Sequence, residues 1–582
     1  MSTHPRRWSV LVVSLLLATS ACGGSKSDDQ TKGNPKGGDT GLTVDAVESG
    51  LADAGKPVRG GSIVYGLEAE TDGGYCLADS QLAISGIMVT RAIYDTLTVP
   101  SASGEFRPNL ARSVEHSDDY RTWTITLRPG ITFHDGSPLD ADVVKLNIDT
   151  YRGKNPKRSS QLFGFVLTNI TEVSVTGPLT VTVTTKVPWV AFPSYLYLSG
   201  RMGIMAKAQL ESDQCAQKPI GTGPFSFVSW TPGQKLVVKR NPDYWQIAPD
   251  GKPYPYLDQI EFRPIPDITV RLQSLESGTI DAMHTAEGSS IAGKLKTLRD
   301  AGKTNLVVSA ERAEVNYLML NATTAPFDDV RVRRALAMAL NRPSMNPRLN
   351  GGVPTVADGP FAKGVVGYLD DPGFPSFDLA GAKKLVAEYE ADGHEARFVL
   401  SNTPDPPSVR IMESVKQQAE AAGFRVELKR ESQAAQISDA IGRTYQATVF
   451  RNYPGDDPDA NYVWWYGTLE GGGSNLVNFS GFDDADINRL LDLGRSEPDP
   501  AARKAAYEDI NRRFADQAYS TWLWTAPWAI ALGADVHGVF GPPLPGDDLT
   551  EPGPASTDDP DLQPNTGLAT GHSLLGLWTE AR

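Results

Sequence analysis

Between residues 378 and 453 the chain switches three times from a helical pattern to a strand pattern, and this alternation limits its possible folds more than any other feature. Residues 378–389, residues 409–422 and a shorter stretch near Ile437 carry apolar side chains at helical spacing. Each precedes a short apolar or β-branched run, at 396–400, 426–429 and 447–453. Neighbouring parallel strands need a crossover, and a helix is the usual one. The alternation therefore implies a largely parallel sheet covered on both faces.

The first half is strand-rich and mixed. Ile63, Val64 and Tyr65 signal a short strand. Residues 120–133 read as a hairpin: Trp123, Ile125 and Leu127 alternate with threonines, Pro129-Gly130 turns, and Ile131 and Phe133 begin the return. Residues 170–187 repeat the device around Gly177-Pro178. Runs at 236–239 and 260–263 are further strands. Asp267 opens a helix with Leu272 and Leu275 inside, and Gly278 stops it. Residues 316–321 read as a strand. Asp328 opens a helix marked by Val332, Leu336 and Leu340. Helices follow at 486–493 and 501–517, then an apolar run at 522–530. Residues 541–565 are rich in Pro and Asp and read as a surface loop. Leu574, Leu575 and Trp578 need a surface to cover them.

Length and charge narrow the function. The 582 residues suffice for several domain-sized units. A net charge of −15 repels nucleic-acid phosphate and argues against that partner. Arg6 and Arg7, the apolar run to Ala18 and the small residues before Cys22 have the layout of a secretory leader, expected at 1–21. Cys22 is then the expected lipidation site, and residues 22–57 a tether poor in bulky apolar side chains. Outside the cytoplasm thiols are commonly oxidised, so Cys76 and Cys215 are expected to pair. Two such cysteines make no zinc site unaided, and neither metal nor cofactor is expected.

Five segments, in order, carry a family resemblance. They are residues 123–136 with Pro138, Ala141, Asp142 and Val143; Pro219 to Phe225; Arg240 to Trp245; Ser277 to Asp281; and Asn321 with Pro326 to Leu336. Together they resemble the family 5 extracellular solute-binding proteins, the peptide- and nickel-type receptors of ABC importers. The likeness covers about residues 60–540. It implies an α/β, two-lobed periplasmic-binding-protein-like fold (class II, cluster C type), with an extra subdomain in lobe 1 and a two-crossing hinge. Lobe 1 is expected at 58–311, lobe 2 at 312–525, and a return to lobe 1 at 526–582. Residues 134–136 and 221–223 read as tight turns, not as metal or phosphate sites, since no helix with Lys and Ser/Thr follows the glycines.

In open α/β sheets ligands sit beyond the carboxyl ends of strands. The strand pattern at 447–453 ends in Pro454-Gly455-Asp456. The resemblance implies that Asp456 pairs with the ammonium of a bound peptide, although Asn452-Tyr453 stand where the family more often has Gly-Trp. The alternative is an aspartate that merely caps a turn. Tyr94 matches a family position facing the cleft, and Tyr453 is a second wall. Trp464 offers stacking surface, though such a run is more often core. Glu68 and Glu70 follow the first strand and either line the mouth or are solvated. Arg451 shares a strand face with Tyr453 and is placed to meet a substrate carboxylate. The expected role is capture of a peptide or peptide-like solute and delivery to an ABC permease with cytoplasmic ATPases, by a monomer lipid-anchored on the outer face of the bacterial cytoplasmic membrane. Rivals are another solute (nickel chelate, oligosaccharide or opine), a sensing or adhesion lipoprotein, and a secreted hydrolase. No Gly-x-Ser-x-Gly or His-Glu-x-x-His motif supports the last, and no enzyme is expected.

Overall fold

The structure is a computed structural model. It describes residues 54–580 except 72, 81, 160–161, 453–454, 456, 470–474, 547–552, 566 and 569–571. All of these belong to one compact unit that starts at Asp39. The leader, Cys22 and most of the tether lie outside the described residues.

Two strands organise the fold. Thr304–Leu320 and Ser520–Gly533 pair antiparallel along nearly their whole length. On one flank Ala282–Thr285 and then Ser62–Leu67 extend the sheet, followed by Gln259–Pro264, Lys235–Arg240 and Phe225–Thr231. On the other flank lie Ala447–Asn452, Arg397–Asn402 and Arg425–Arg430. The last three are mutually parallel, as the helix–strand alternation predicts. Their crossover helices, Pro406–Ala421 and Gln433–Gly442, are capped by Asp405 and Ser432, whose side chains accept from Ser408 and Ala435 N–H groups. The helix expected from Asp328 begins one residue later: it is Val330–Ala339, and Asp329 is the cap.

The long strands pass between two cores. One gathers Tyr65, Phe262, Trp528 and Ile530 with apolar residues from Ile63 to Ile260 and Leu574 and Leu577 of the tail. The other gathers Leu318, Leu336, Phe398, Leu400, Val415 and Trp524. We call these regions lobe 1 and lobe 2. The ladder breaks between them: register shifts between Ser309 and Glu314, opposite Trp528 and Ala526. Pro527 lies at this point and has no N–H to give. A bulge facing a proline is where a paired ribbon bends most readily.

Lobe 1 carries a separate four-stranded antiparallel sheet, in the order Ala111–His116, Thr122–Leu127, Thr180–Thr185, Ile170–Gly177. This corrects the hairpin expected at 120–133. Thr122–Leu127 has a neighbour on each edge, so no place remains for a return strand. After the turn at Gly130 (φ +80°), Ile131 and Phe133 enter the core instead. The true hairpin partner is Ala111–His116, joined through Tyr120 at φ +54°. The hairpin around Gly177-Pro178 forms as read.

Candidate functional site

Glu68 lies one residue past the carboxyl end of Ser62–Leu67, which is parallel to both of its neighbours. Arg451 lies near the carboxyl end of Ala447–Asn452 in lobe 2. The two strand ends converge on the crossing strands. Arg451 Nη2 donates to Glu68 Oε1 at 2.8 Å, and its Nε stands 3.4 Å from Glu314 Oε2. Trp528 Nε1 donates to the same Glu314 oxygen at 3.0 Å. The guanidinium carbon is 5.2 Å from the Trp528 ring centre. Behind Trp528, His284 stacks at 5.5 Å, and its Nε2 accepts from the Glu68 N–H. One guanidinium thus faces two carboxylates. Burial pushes the Glu68 carboxyl up, but Arg451 beside it, helped by His284 and Arg271, holds it below the usual carboxylate range. Glu314 goes the other way: burial dominates, and Arg451 only partly offsets it.

A second contact between the lobes lies at the edge of the extra subdomain. Asp459 and Arg495 of lobe 2 form an ion pair with 0% and 5% of their side chains exposed. Trp189 of lobe 1 donates its indole N–H to Asp459 Oδ2 at 2.9 Å, and the Tyr195 hydroxyl donates to the Asp459 carbonyl at 2.7 Å. Val190 N–H donates to the Arg495 carbonyl at 2.9 Å. Tyr462 stacks on the guanidinium at 3.5 Å. A buried pair needs such partners, because desolvation otherwise outweighs its attraction.

The remaining sequence-predicted residues divide as follows. Asp456 and Tyr453 lie outside the described residues, as does Cys22. Cys76 and Cys215 are joined by a disulfide inside the lobe 1 core. Tyr94 is not brought to Arg451: its hydroxyl donates to the Tyr75 carbonyl and bonds Gln209, both in lobe 1. Tyr94 and Asp95 instead line a crevice of about 140 Å³ under the C-terminal segment. Glu70 accepts from Gly233 N–H and Trp230 within lobe 1. Trp464 packs on Phe479 and lines a lobe 2 cavity with Tyr317, Trp465, Phe482 and Trp522. That cavity is about 30 Å³, room for a water and not for a solute. Gly221 and Gly223 are turns with a reason: a Cβ on Gly221 would lie 2.0 Å from the Ile93 carbonyl oxygen. Among the described residues no cluster of three His, Cys, Asp or Glu is placed to hold a metal. No described helix is long and apolar enough to cross a membrane.

Sequence reasoning missed Glu314, Trp528 and His284, and the Asp459–Arg495 pair. A signal existed for two of them. Glu314 and His284 are ionisable residues buried within strands, and a buried polar residue is informative where an exposed apolar one is not. Nothing in the spacing links Asp459 to Arg495.

Comparison with known proteins adds the following. The model for "Bacterial extracellular solute-binding proteins, family 5 Middle" matches residues 105–474. Protein XP55 of Streptomyces lividans is 26% identical over 498 residues, which span 82% of this chain and 86% of that protein. The structure of AgaA from A. tumefacien R10, in complex with agropinic acid, superposes with a TM-score of 0.75 at 25% identity, covering 90% of this chain and 99% of the other. The oligopeptide-binding protein AppA from Bacillus subtilis, in complex with a nonapeptide, does so at 0.74 and 22% identity, covering 90% and 100%.

Proposed function

We propose, for a chain that belongs to the bacterial extracellular solute-binding proteins of family 5, the role of a lipid-anchored receptor that captures a peptide or peptide-like solute between its lobes and hands it intact to an ABC permease. One observation carries this reading. Strand ends from both lobes meet at the crossing strands in a charged cluster, Glu68, Glu314 and Arg451, at the place where open α/β sheets bind ligands. Residues that link the lobes there couple a bound solute to closure. Asp456, five residues after Arg451, is the proposed partner of the solute ammonium. Cys22 supplies the anchor, and the energy comes from the permease's ATPases, since the chain has no Walker motif.

Calorimetric titration with a set of short peptides tests the reading. Binding is expected to need a free amino terminus and to weaken by at least tenfold in Asp456→Ala. Equal binding of N-acetylated peptides, or unchanged affinity in the variant, contradicts the ammonium assignment. No binding of any peptide contradicts the substrate class.

A further inference from the structure

We propose that Glu68, Glu314 and the face of Trp528 form a cation seat at the seam, that this seat selects for an ammonium or guanidinium group on the solute, and that Arg451 plugs it while no such solute is bound. This deepens the reading above and rests on a solute being captured between the lobes.

The seat and its plug have different origins. Trp528 belongs to the lobe 1 core, and its indole N–H holds Glu314 in place. Glu68 is held on the same side: its backbone N–H bonds His284, the ring stacked on Trp528. These contacts do not involve Arg451. The plug comes from the lobe 2 strand Ala447–Asn452. When the lobes part, Arg451 leaves Glu68, while Glu314, at the bulge that joins the lobes, keeps its bond to the Trp528 indole.

The chemistry of the seat is that of a cation site. Two carboxylate groups and an indole face surround one position. Carboxylates give charge-assisted hydrogen bonds to an ammonium or guanidinium, and the indole face adds a cation–π attraction. An anion entering here meets two like charges. The arrangement is also reachable from the Glu68 side: the Arg451 side chain is 35% exposed and that of Glu68 21%, with Glu314 behind them at 7%, whereas a purely structural bridge such as Asp459–Arg495 is sealed. Arg271, whose field also reaches Glu68, is spent on the Ile265 and Pro266 carbonyls. A solute cation can therefore replace the plug on equal chemical terms. Closure without solute and closure around it become competing states of one device.

Chemical rescue tests this. In Arg451→Ala, millimolar methylguanidinium is expected to raise the melting temperature and to bind in calorimetry at least tenfold more tightly than to the unsubstituted protein. N-methylurea, a neutral probe of similar shape, and acetate are expected to do neither. Adding Glu68→Gln to Arg451→Ala is expected to cost at least tenfold in methylguanidinium affinity. Equal effects of N-methylurea, or no methylguanidinium binding to the folded variant, overturn the proposal. Arg451→Met keeps more of the side-chain packing and replaces Arg451→Ala should the latter not fold. Rescue without any peptide binding leaves the seat standing and removes the peptide reading; peptide binding without rescue does the reverse.

Discussion

Single residues separate what holds the lobes together from what reads a solute. Asp459 neutralises a buried guanidinium and takes two hydrogen bonds from lobe 1. Asp459→Ala leaves Arg495 unpaired, and about 3–5 kcal/mol of stability should be lost in urea denaturation. Asp459→Asn keeps an acceptor for Trp189 and is expected to lose less. A second residue-scale prediction concerns acid. His284 and His572 are buried beside Tyr65, and burial pushes both imidazoles down to about 4. Above the unfolded value of about 6.5 both states are neutral and the contribution is whole. Between 6.5 and 4 the unfolded chain binds protons that the folded one refuses, so stability falls with pH, by about 3 kcal/mol per histidine, and levels off below 4. Urea midpoints from pH 7 to pH 4 check this, and His284→Gln should flatten part of the slope. None of these partnerships was legible. Asp459 and Arg495, 36 positions apart, carry no local signature of their pairing, and burial becomes visible only once the strands are assembled.

Elements were far more legible, for a physical reason. Helices such as Pro500–Gln517 and the parallel strands announce themselves through periodicity, which depends on the chain alone. The false hairpin at 120–133 shows the limit. Alternation and a Pro-Gly turn predict that a strand will pair, yet which neighbour it takes depends on Ala111–His116 and Thr180–Thr185 competing for its edges. The crossing strand Thr304–Leu320 was read only from Asn316 onward, because Ser309, Arg312 and Glu314 at the bulge interrupt the apolar pattern. Two predictions belong here. Gly221→Ala drives a methyl into the Ile93 carbonyl and should destabilise lobe 1, whereas Gly293→Ala, with open space around it, should not; thermal melts separate them. Reduction of Cys76–Cys215, which closes a loop across 139 positions, should cost about 2–5 kcal/mol in urea unfolding with and without reductant.

At the scale of the molecule, two cores share one pair of strands, and the ladder breaks at a bulge and a proline between them. In the proposed receptor that geometry is the hinge on which lobe 2 swings while each core stays packed. The family and the two-lobed fold were legible because motifs such as residues 219–225 record close backbone approaches that the fold cannot do without. The seam was legible only in part. Glu68 and Arg451 could be singled out by their places at strand ends, but their engagement with each other and with Glu314 depends on how strands distant in sequence are assembled. The whole account turns on a solute held in that seam. Native mass spectrometry of the protein purified from its own cells tests it most directly. The account predicts a mass excess of one small solute that bears an amine, present in the native spectrum and released on denaturation. A bare chain mass, together with no mass shift after incubation with a pool of short peptides, would contradict it.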